Sequence, residues 1–309
     1  MEIGDFIKIS DHTSMVIGER PHGNTGGISL ENYTVAVDST GNLSGGKIFR
    51  KKLENYYNLP IKYVIFTHYH GDHINGRQAF KDVDLIISDF IPTDKGRFQN
   101  AIFIKDDYSI QDENLEVKIF HTGGHTVDSM FVHFPSEEIV FAGDIIFENL
   151  FPPFGGDPTC NPELWFQALE KIEALNPIKI VPGHGPYLTG DKINNHLSNL
   201  QKLRINVKKA IKENLKPHEI EISDYYGEFH QRWMSRTLPH WFSFYSTIDK
   251  IPGILEEIRS NSHDHNRILL SKMTIKELKV LANHLKFRPS GNKNKIISEI
   301  IDYLEKHES

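Results

Sequence analysis

Cysteine is almost absent: Cys160 stands alone in 309 residues, so no internal disulfide can form and the fold needs no oxidising compartment. No run of about 18 apolar residues occurs, which excludes a membrane-spanning helix by hydropathy. The start of the chain, residues 1–11, carries neither the basic nor the apolar segment of a secretion signal. These absences make a cytoplasmic protein without a membrane partner the expectation. Positive charge is not in excess either. A net charge of -6 argues against a chain that coats nucleic acid along its whole length, while leaving room for a local basic module. With 39% apolar and 25% charged residues, a disordered or fibrous chain is excluded, and the length suffices for one large domain or a medium one plus a small one. There is no internal repeat. What is abundant is histidine, with 17 copies.

The first two thirds alternate short β-rich runs with turns, at 33–38, 63–67, 85–88, 115–120, 130–134 and 139–142. A helix is expected from Pro162, with Trp165, Ala168, Leu169, Ile172 and Leu175 at helical spacing until Asn176-Pro177 stops it. A strand at 178–181 follows, then a helical pattern over 191–215. An aromatic-rich stretch comes next (Tyr225, Tyr226, Phe229, Trp233, Trp241, Phe242, Phe244, Tyr245), readable as core, as a dimer contact or as the roof of a pocket. Residues 260–267 are polar throughout and read as a linker. The division expected is therefore a body at 1–259, a linker at 260–267 and a small helical module at 268–309.

The chemistry concentrates in Thr67-His68-Tyr69-His70-Gly71-Asp72-His73, directly after an apolar run. On an extended segment leaving a strand, His68 and His70 project to one side and can converge on one metal ion. Asp72 and His73 can reach a second, with Gly71 allowing a tight turn between the sets. Three more pieces, Gly124-His125-Thr126, Ala142-Gly143-Asp144 and Pro182-Gly183-His184-Gly185, follow short β runs and are flanked by glycine, which suits ligands presented on loops from a rigid sheet. Four ligand-type residues within six positions have no packing purpose. His12, His22, His133, His196, His218 and His230 read as ordinary hydrogen-bonded histidines, and His121 as a neighbour of the site rather than a ligand.

In order and kind, these motifs resemble those of the metallo-β-lactamase superfamily from about residue 10 to 200. The resemblance implies an α/β fold, an αββα sandwich with the metal site along one edge. It also implies roles: His68, His70 and His125 as ligands of one ion, Asp72, His73 and His184 as ligands of the other, and Asp144 as the bridging carboxylate. An aspartate at 144, where the class B β-lactamases carry Cys or Ser, points away from penicillin destruction and toward the branch of glyoxalase II, lactonases and esterases. His70 argues against the flavodiiron branch, where Glu is expected. Glyoxalase II itself is disfavoured, because no basic patch for glutathione follows His184.

Nitrogen and carboxylate donors without thiolate suit two Zn²⁺ ions, and iron or manganese fits the same donors. Such ions bring the pKa of bound water from about 15.7 to about 7, so a hydroxide between them can attack a small ester, thioester or lactone, with Asp72 as the catalytic group that orients it. The loop at 151–160, with Phe151 and Phe154, suggests an apolar small-molecule acyl substrate. The rivals are a metal-dependent nuclease, against which the short interval from Asp144 to His184 leaves no room for a large inserted domain, and a mononuclear iron enzyme like the persulfide dioxygenases.

Residues 268–309 hold eight basic residues against five acidic. Thr274 and Glu277 have the form of a capping box, Ile275, Leu278, Leu281, Ala282 and Leu285 make one helical face, and Ile296, Ile297, Ile300, Ile301 and Leu304 make another after Pro289-Ser290-Gly291. This helix-extended-helix pattern resembles the SAP motif of DNA-binding proteins. The resemblance implies weak DNA or RNA contact through Lys276, Lys279, Arg288, Lys293 and Lys295; the alternative is a helical pair that packs on the body or mediates a homodimer.

Overall fold

A computed structural model describes residues 4–19, 22–147, 157–222, 230–285, 289 and 291–307, the side chains of 230–234 excepted. The chain divides into two compact units, Met1–Asn149 with Glu163–Ser198, and Leu150–Pro162 with Asn199–Ser309. No helix among the described residues is long and apolar enough to cross a membrane.

The first unit holds two sheets. One runs in chain order through β1 (Ile7–Lys8), β2 (Thr13–Val16), β3 (Thr25–Ser29), β4 (Thr34–Val37), β5 (Ile61–Ile65), β6 (Asp84–Ser88) and β7 (Ala101–Ile104). It is antiparallel up to β4 and parallel from β4 to β7. The other comprises β8 (Tyr108–Asp112), β9 (Leu115–His121), β10 (Met130–Phe134), β11 (Ile139–Phe147), β12 (Lys179–His184) and β13 (Leu188–Thr189), with β11 and β12 parallel and the remaining pairs antiparallel.

Strand parity decides which side chain goes where. Val35, Val37, Ile65 and Ile86 point from the first sheet into a core shared with Val117, Ile119, Val132, Phe134 and Phe141 of the second. The alternate residues Ala36, Val64, Phe66, Leu85 and Ile87 form a separate core with Phe49 and Leu53 of helix α1 (Leu43–Tyr57). Asn42 caps α1 by accepting from the Gly45 amide, and Asn58 ends it in the left-handed region, as asparagine tolerates. On the far side of the second sheet lies α3 (Pro162–Ala174): the Trp165 indole donates to the Ile145 carbonyl at 2.8 Å, and Lys171 sits 4.5 Å over the Phe120 ring. Helix, two sheets and helix give the expected αββα layering.

One difference matters for the site. The sequence suggests a strand ending at Ala142 with Gly143-Asp144 on a loop, but β11 continues to Phe147. Pairing with β12 slips between Phe141 and Gly143 and again before Phe147, and Gly143 takes a positive φ of 51°. Such irregularities re-aim a side chain within a sheet, and here the re-aimed residue is Asp144.

The second unit is helical. It takes the later part of α4 (Ile193–Lys212), then α5 (His230–Ile248), α6 (Ile251–Arg259), α7 (His263–Ser271), α8 (Ile275–His284) and α9 (Lys293–His307). In the aromatic stretch Trp241, Phe244 and Tyr245 are buried and Phe242 is half-buried, while Tyr225, Tyr226, Phe229 and the side chain of Trp233 lie outside what is described, as do Phe151, Phe154 and Arg288. The capping box is present, with Thr274 N–H on Glu277 Oε2 at 2.6 Å and Glu277 N–H on Thr274 Oγ1 at 3.2 Å. Residues 260–267, expected as a linker, are helical from His263. Ser262 caps that helix, and Asn266, 7% exposed, donates to the Ile258 carbonyl at 3.0 Å. A cap and a buried amide thus replace the apolar stripe that the sequence lacks there. The module at 268–309 shares its unit with α5. α8 packs on α5, and the Asn283 amide donates to the Pro158 carbonyl at 2.8 Å.

In the first unit, His196 on α4 is 4% exposed, and burial pushes its pKa down from 6.5 to about 4. The folded chain therefore binds this proton less well than the unfolded chain. Stability from this group is complete above about pH 6.5 and is lost as pH falls toward 4, at about 1.4 kcal/mol per pH unit. Urea midpoints at pH 7 and 4.5 should converge in His196→Gln relative to the original chain; an unchanged acid loss would remove His196 from the account.

Candidate metal centre

Topology brings the ligand types to one edge. β4 and β5 are parallel neighbours with Val37 opposite Ile65, so the residues just past their carboxyl ends, Asp38 and Thr67, lie side by side. Asp38 is the residue that sequence reasoning missed. Its Oδ1 accepts from the Thr67 amide at 2.8 Å and its Oδ2 from the Thr67 hydroxyl at 2.9 Å. Oδ2 also lies 2.8 Å from His73 Nδ1. Asp38 is 2% exposed and holds a positive φ of 60°, a conformation that Asp and Asn tolerate better than most residues.

These contacts fix two tautomers. The Thr67 hydroxyl spends its proton on Asp38, so at 3.1 Å from His68 Nδ1 it can only accept, which puts the His68 proton on Nδ1 and leaves Nε2 free. His73 Nδ1 likewise donates to Asp38, which turns its Nε2 toward Asp144. This carboxylate-to-imidazole arrangement orients metal-binding histidines.

All seven residues picked from the sequence are brought together, in two groups: His68, His70, His125 and Asp144, and Asp72, His73 and His184, with ligand atoms in each group within 4.8 Å of one another. His70 Nδ1 is 3.0 Å from both His68 Nε2 and His125 Nε2. Asp144 divides its oxygens between the groups. Oδ2 lies 3.5 Å from His68 Nε2 and 3.4 Å from His125 Nε2, whereas Oδ1 lies 3.1 Å from His73 Nε2 and 3.5 Å from His184 Nε2. Asp72 Oδ2 closes the second group at 3.2 Å from His184 and 3.6 Å from His73. Gly71 starts the short helix α2 (Gly71–Ile74), which turns the chain between the two sets.

The surroundings hold this geometry. The Asn24 amide, also unmarked in the sequence, donates to the carbonyls of Pro182 and Gly185 at 2.8 Å each, bracing the turn that carries His184. At Gly183 a Cβ would stand 1.9 Å from Asp144 Oδ1, so only glycine lets β12 approach that carboxylate. Trp165 packs edge-on against His125 at 5.3 Å, and Phe147 stacks on His184 at 5.9 Å. His121 stays apart, stacked on Phe90, and His12 is held by Glu137.

Burial, and then the charge of His73, push the His68 pKa down to about 4, so its imidazole is neutral at pH 7. Burial opposes charge on His73 too, but Asp144, Asp38 and Asp72 outweigh it and raise that pKa. For Asp72 and Asp144 burial resists ionisation, and the neighbouring imidazoles, His73 first, reverse the balance and hold both below the usual carboxylate range. His73 Nε2 and Asp144 Oδ1 are buried without a hydrogen-bond partner. Paired lone-pair donors left unsatisfied in a buried site fit a divalent cation.

A family model described as the metallo-beta-lactamase superfamily matches residues 4–84 and 87–184. A beta-lactamase-like protein 2 homolog of Caenorhabditis elegans is 27% identical over 166 residues, covering 50% of this chain and 54% of that protein. A hydroxyacylglutathione hydrolase of Pelagibacter ubique is 34% identical over 164 residues, covering 50% of this chain and 66% of that one. The chain thus spans about half to two thirds of the length of these relatives. Among solved structures, a metallo-beta-lactamase from Pontibacter korlensis superposes with a TM-score of 0.58 at 19% identity, over 65% of this chain and 99% of that chain, a likeness of fold.

Proposed function

Because the chain belongs to the metallo-beta-lactamase superfamily, we propose that its cluster is the dinuclear zinc centre of a hydrolase that cleaves a small ester, thioester or lactone. The observation that carries this reading is the division of Asp144, one carboxylate oxygen facing each ligand group. A relative named as a hydroxyacylglutathione hydrolase supports the hydrolytic class. His68, His70 and His125 would hold one ion and Asp72, His73 and His184 the other, with Asp144 between them.

Bound there, the ions supply Lewis acidity toward the scissile carbonyl and make water a nucleophile near neutral pH. The chain's own groups do the rest. Asp144, buried and ionised, keeps its two oxygens apart, while Thr67 and Asp38 hold His68 and His73 in one tautomer each. Asp72, whose side chain is 24% exposed, is the accessible carboxylate. It takes the proton of the attacking water and passes it to the leaving oxygen or sulfur. Trp165 and Phe147 exclude water from behind His125 and His184.

The test measures metal content and turnover together. Elemental analysis of metal-replete protein should give two ions per chain. A panel of esters, thioesters, lactones, β-lactams and phosphodiesters should show acyl hydrolysis that collapses in His68→Ala and in His184→Ala. A single bound iron with persulfide turnover, or phosphodiester cleavage far faster than every acyl substrate, would replace this reading with one of its rivals.

A further inference from the structure

Arg50 shows how a guanidinium is ordinarily compensated in the first unit: it donates to the two oxygens of Asp82 at 2.5 and 2.8 Å, to Glu54 at 3.1 Å and to the Ala79 carbonyl at 2.9 Å. Arg77 is treated otherwise. It sits four residues beyond His73, on the 3-10 segment Asn75–Phe80, with its guanidinium 5.2 Å over the Phe98 ring. Nη1 makes a long hydrogen bond of 3.3 Å to the Ile74 carbonyl, and Nε is buried with no hydrogen-bond partner. Its charged neighbour is Arg97, next in sequence to Phe98. Burial, and then that second positive charge, pull the Arg77 pKa below the ordinary arginine value.

The two acids on the facing loop have other contacts. Asp89 is paired with Lys95 and, at 3.7 Å, with Lys105. Asp94 accepts from the Gly96 amide at 2.9 Å. Neither Arg77 nor Arg97 has a carboxylate partner among the described residues. Arg77 is stacked on the aromatic ring that adjoins a second arginine in sequence, and its unused buried Nε–H donor carries a free-energy cost. An anion with two or more oxygens would offset it, accepting from the planar fork of Arg77 while Arg97 closes over it.

We infer that Arg77 and Arg97 form a binding site for an oxyanion (a phosphate, sulfate or carboxylate group) close along the chain to the ligands Asp72 and His73. Two sources share this chemistry. One is an anionic end of the hydrolysed molecule, an assignment that rests on the function proposed above; the other is a free inorganic ion.

The experiment titrates the full-length, metal-loaded protein with inorganic phosphate and follows the arginine Nε–H resonances by ¹⁵N NMR. The Arg77 signal should shift saturably while that of Arg50 stays still. Binding at that signal should weaken by about tenfold in Arg97→Gln, the loss expected for a charge-assisted hydrogen bond. Arg97 is exposed, so that variant leaves the fold intact, and the Arg77 signal distinguishes this site from phosphate reaching the metals. An unmoved Arg77 signal, or equal affinity in Arg97→Gln, overturns the inference. A second arm compares a neutral ester with one bearing a remote carboxylate or phosphate. A KM increase in Arg97→Gln confined to the anionic ester assigns the anion to the substrate, and unchanged KM values with phosphate binding at Arg77 assign it to a free ion. If no ester is hydrolysed at all, the proposed function fails while the phosphate titration still decides this site.

Discussion

Asp144→Ala should strip metal from both ligand groups and lower kcat/KM on an acyl substrate by on the order of 10³-fold, because removing one member of a buried charge network costs roughly 3–5 kcal/mol and each 1.4 kcal/mol is a factor of ten. The reason is specific to where this carboxylate sits. It is 2% exposed, and its two oxygens face His68 with His125 and His73 with His184. Asp144→Asn, which keeps the shape and removes the charge, should fall in the same direction. Metal per chain after dialysis against a chelator, together with turnover, reads the effect. Retention of one ion at the original affinity would show that Asp144 serves a single group.

The second large effect is expected at Asp38. Asp38→Asn puts an amide where His73 Nδ1–H and the Thr67 hydroxyl both need an acceptor, so either His73 changes tautomer or Thr67 loses its anchor. Loss of such an orienting carboxylate lowers metal affinity or activity by about 10- to 100-fold. The loss should fall first on the group containing His73. Asparagine is the informative replacement, because it tolerates the positive φ of 60° at this position, whereas alanine would add backbone strain to the electrostatic change. Competition with a chromophoric chelator would separate the two binding steps. Equal affinities in Asp38→Asn and the original chain would sink the orienting role.

These two aspartates show how far the sequence could be read. Asp144 was legible, because it follows an apolar run beside Gly143 and stands in order with His125 and His184. Its placement within β11 was not, because a register slip leaves no periodic trace. Asp38 had no signal of its own. A lone aspartate closing the β run 33–38 reads as an ordinary strand end, and its partners Thr67 and His73 become neighbours only when β4 pairs with β5. Asn24 escaped for the same reason, its carbonyl partners being about 160 residues away. The β runs at 33–38 and 63–67 were legible, but which residues face which core was not, because both faces of these strands are apolar and buried. Helix α7 was not, since Asn266 and Leu270 are the buried residues on it and too few to register as a stripe.

The interleaving of the two units sets a timetable for the growing chain. Every ligand from His68 to His184, with Asp38 and Asn24, belongs to the unit that closes at Ser198, whereas Leu150–Pro162 belongs with Asn199–Ser309. At about 5–20 residues per second, a ribosome needs roughly 4–17 s to reach Asn283 after Ser198. The metal ligands can therefore gather during synthesis while the segment around Pro158 and Cys160 still waits for α5 and α8, whose His240 and Asn283 are its hydrogen-bond partners. In that interval the Cys160 thiol, buried in the finished protein, is open to solvent and to oxidants.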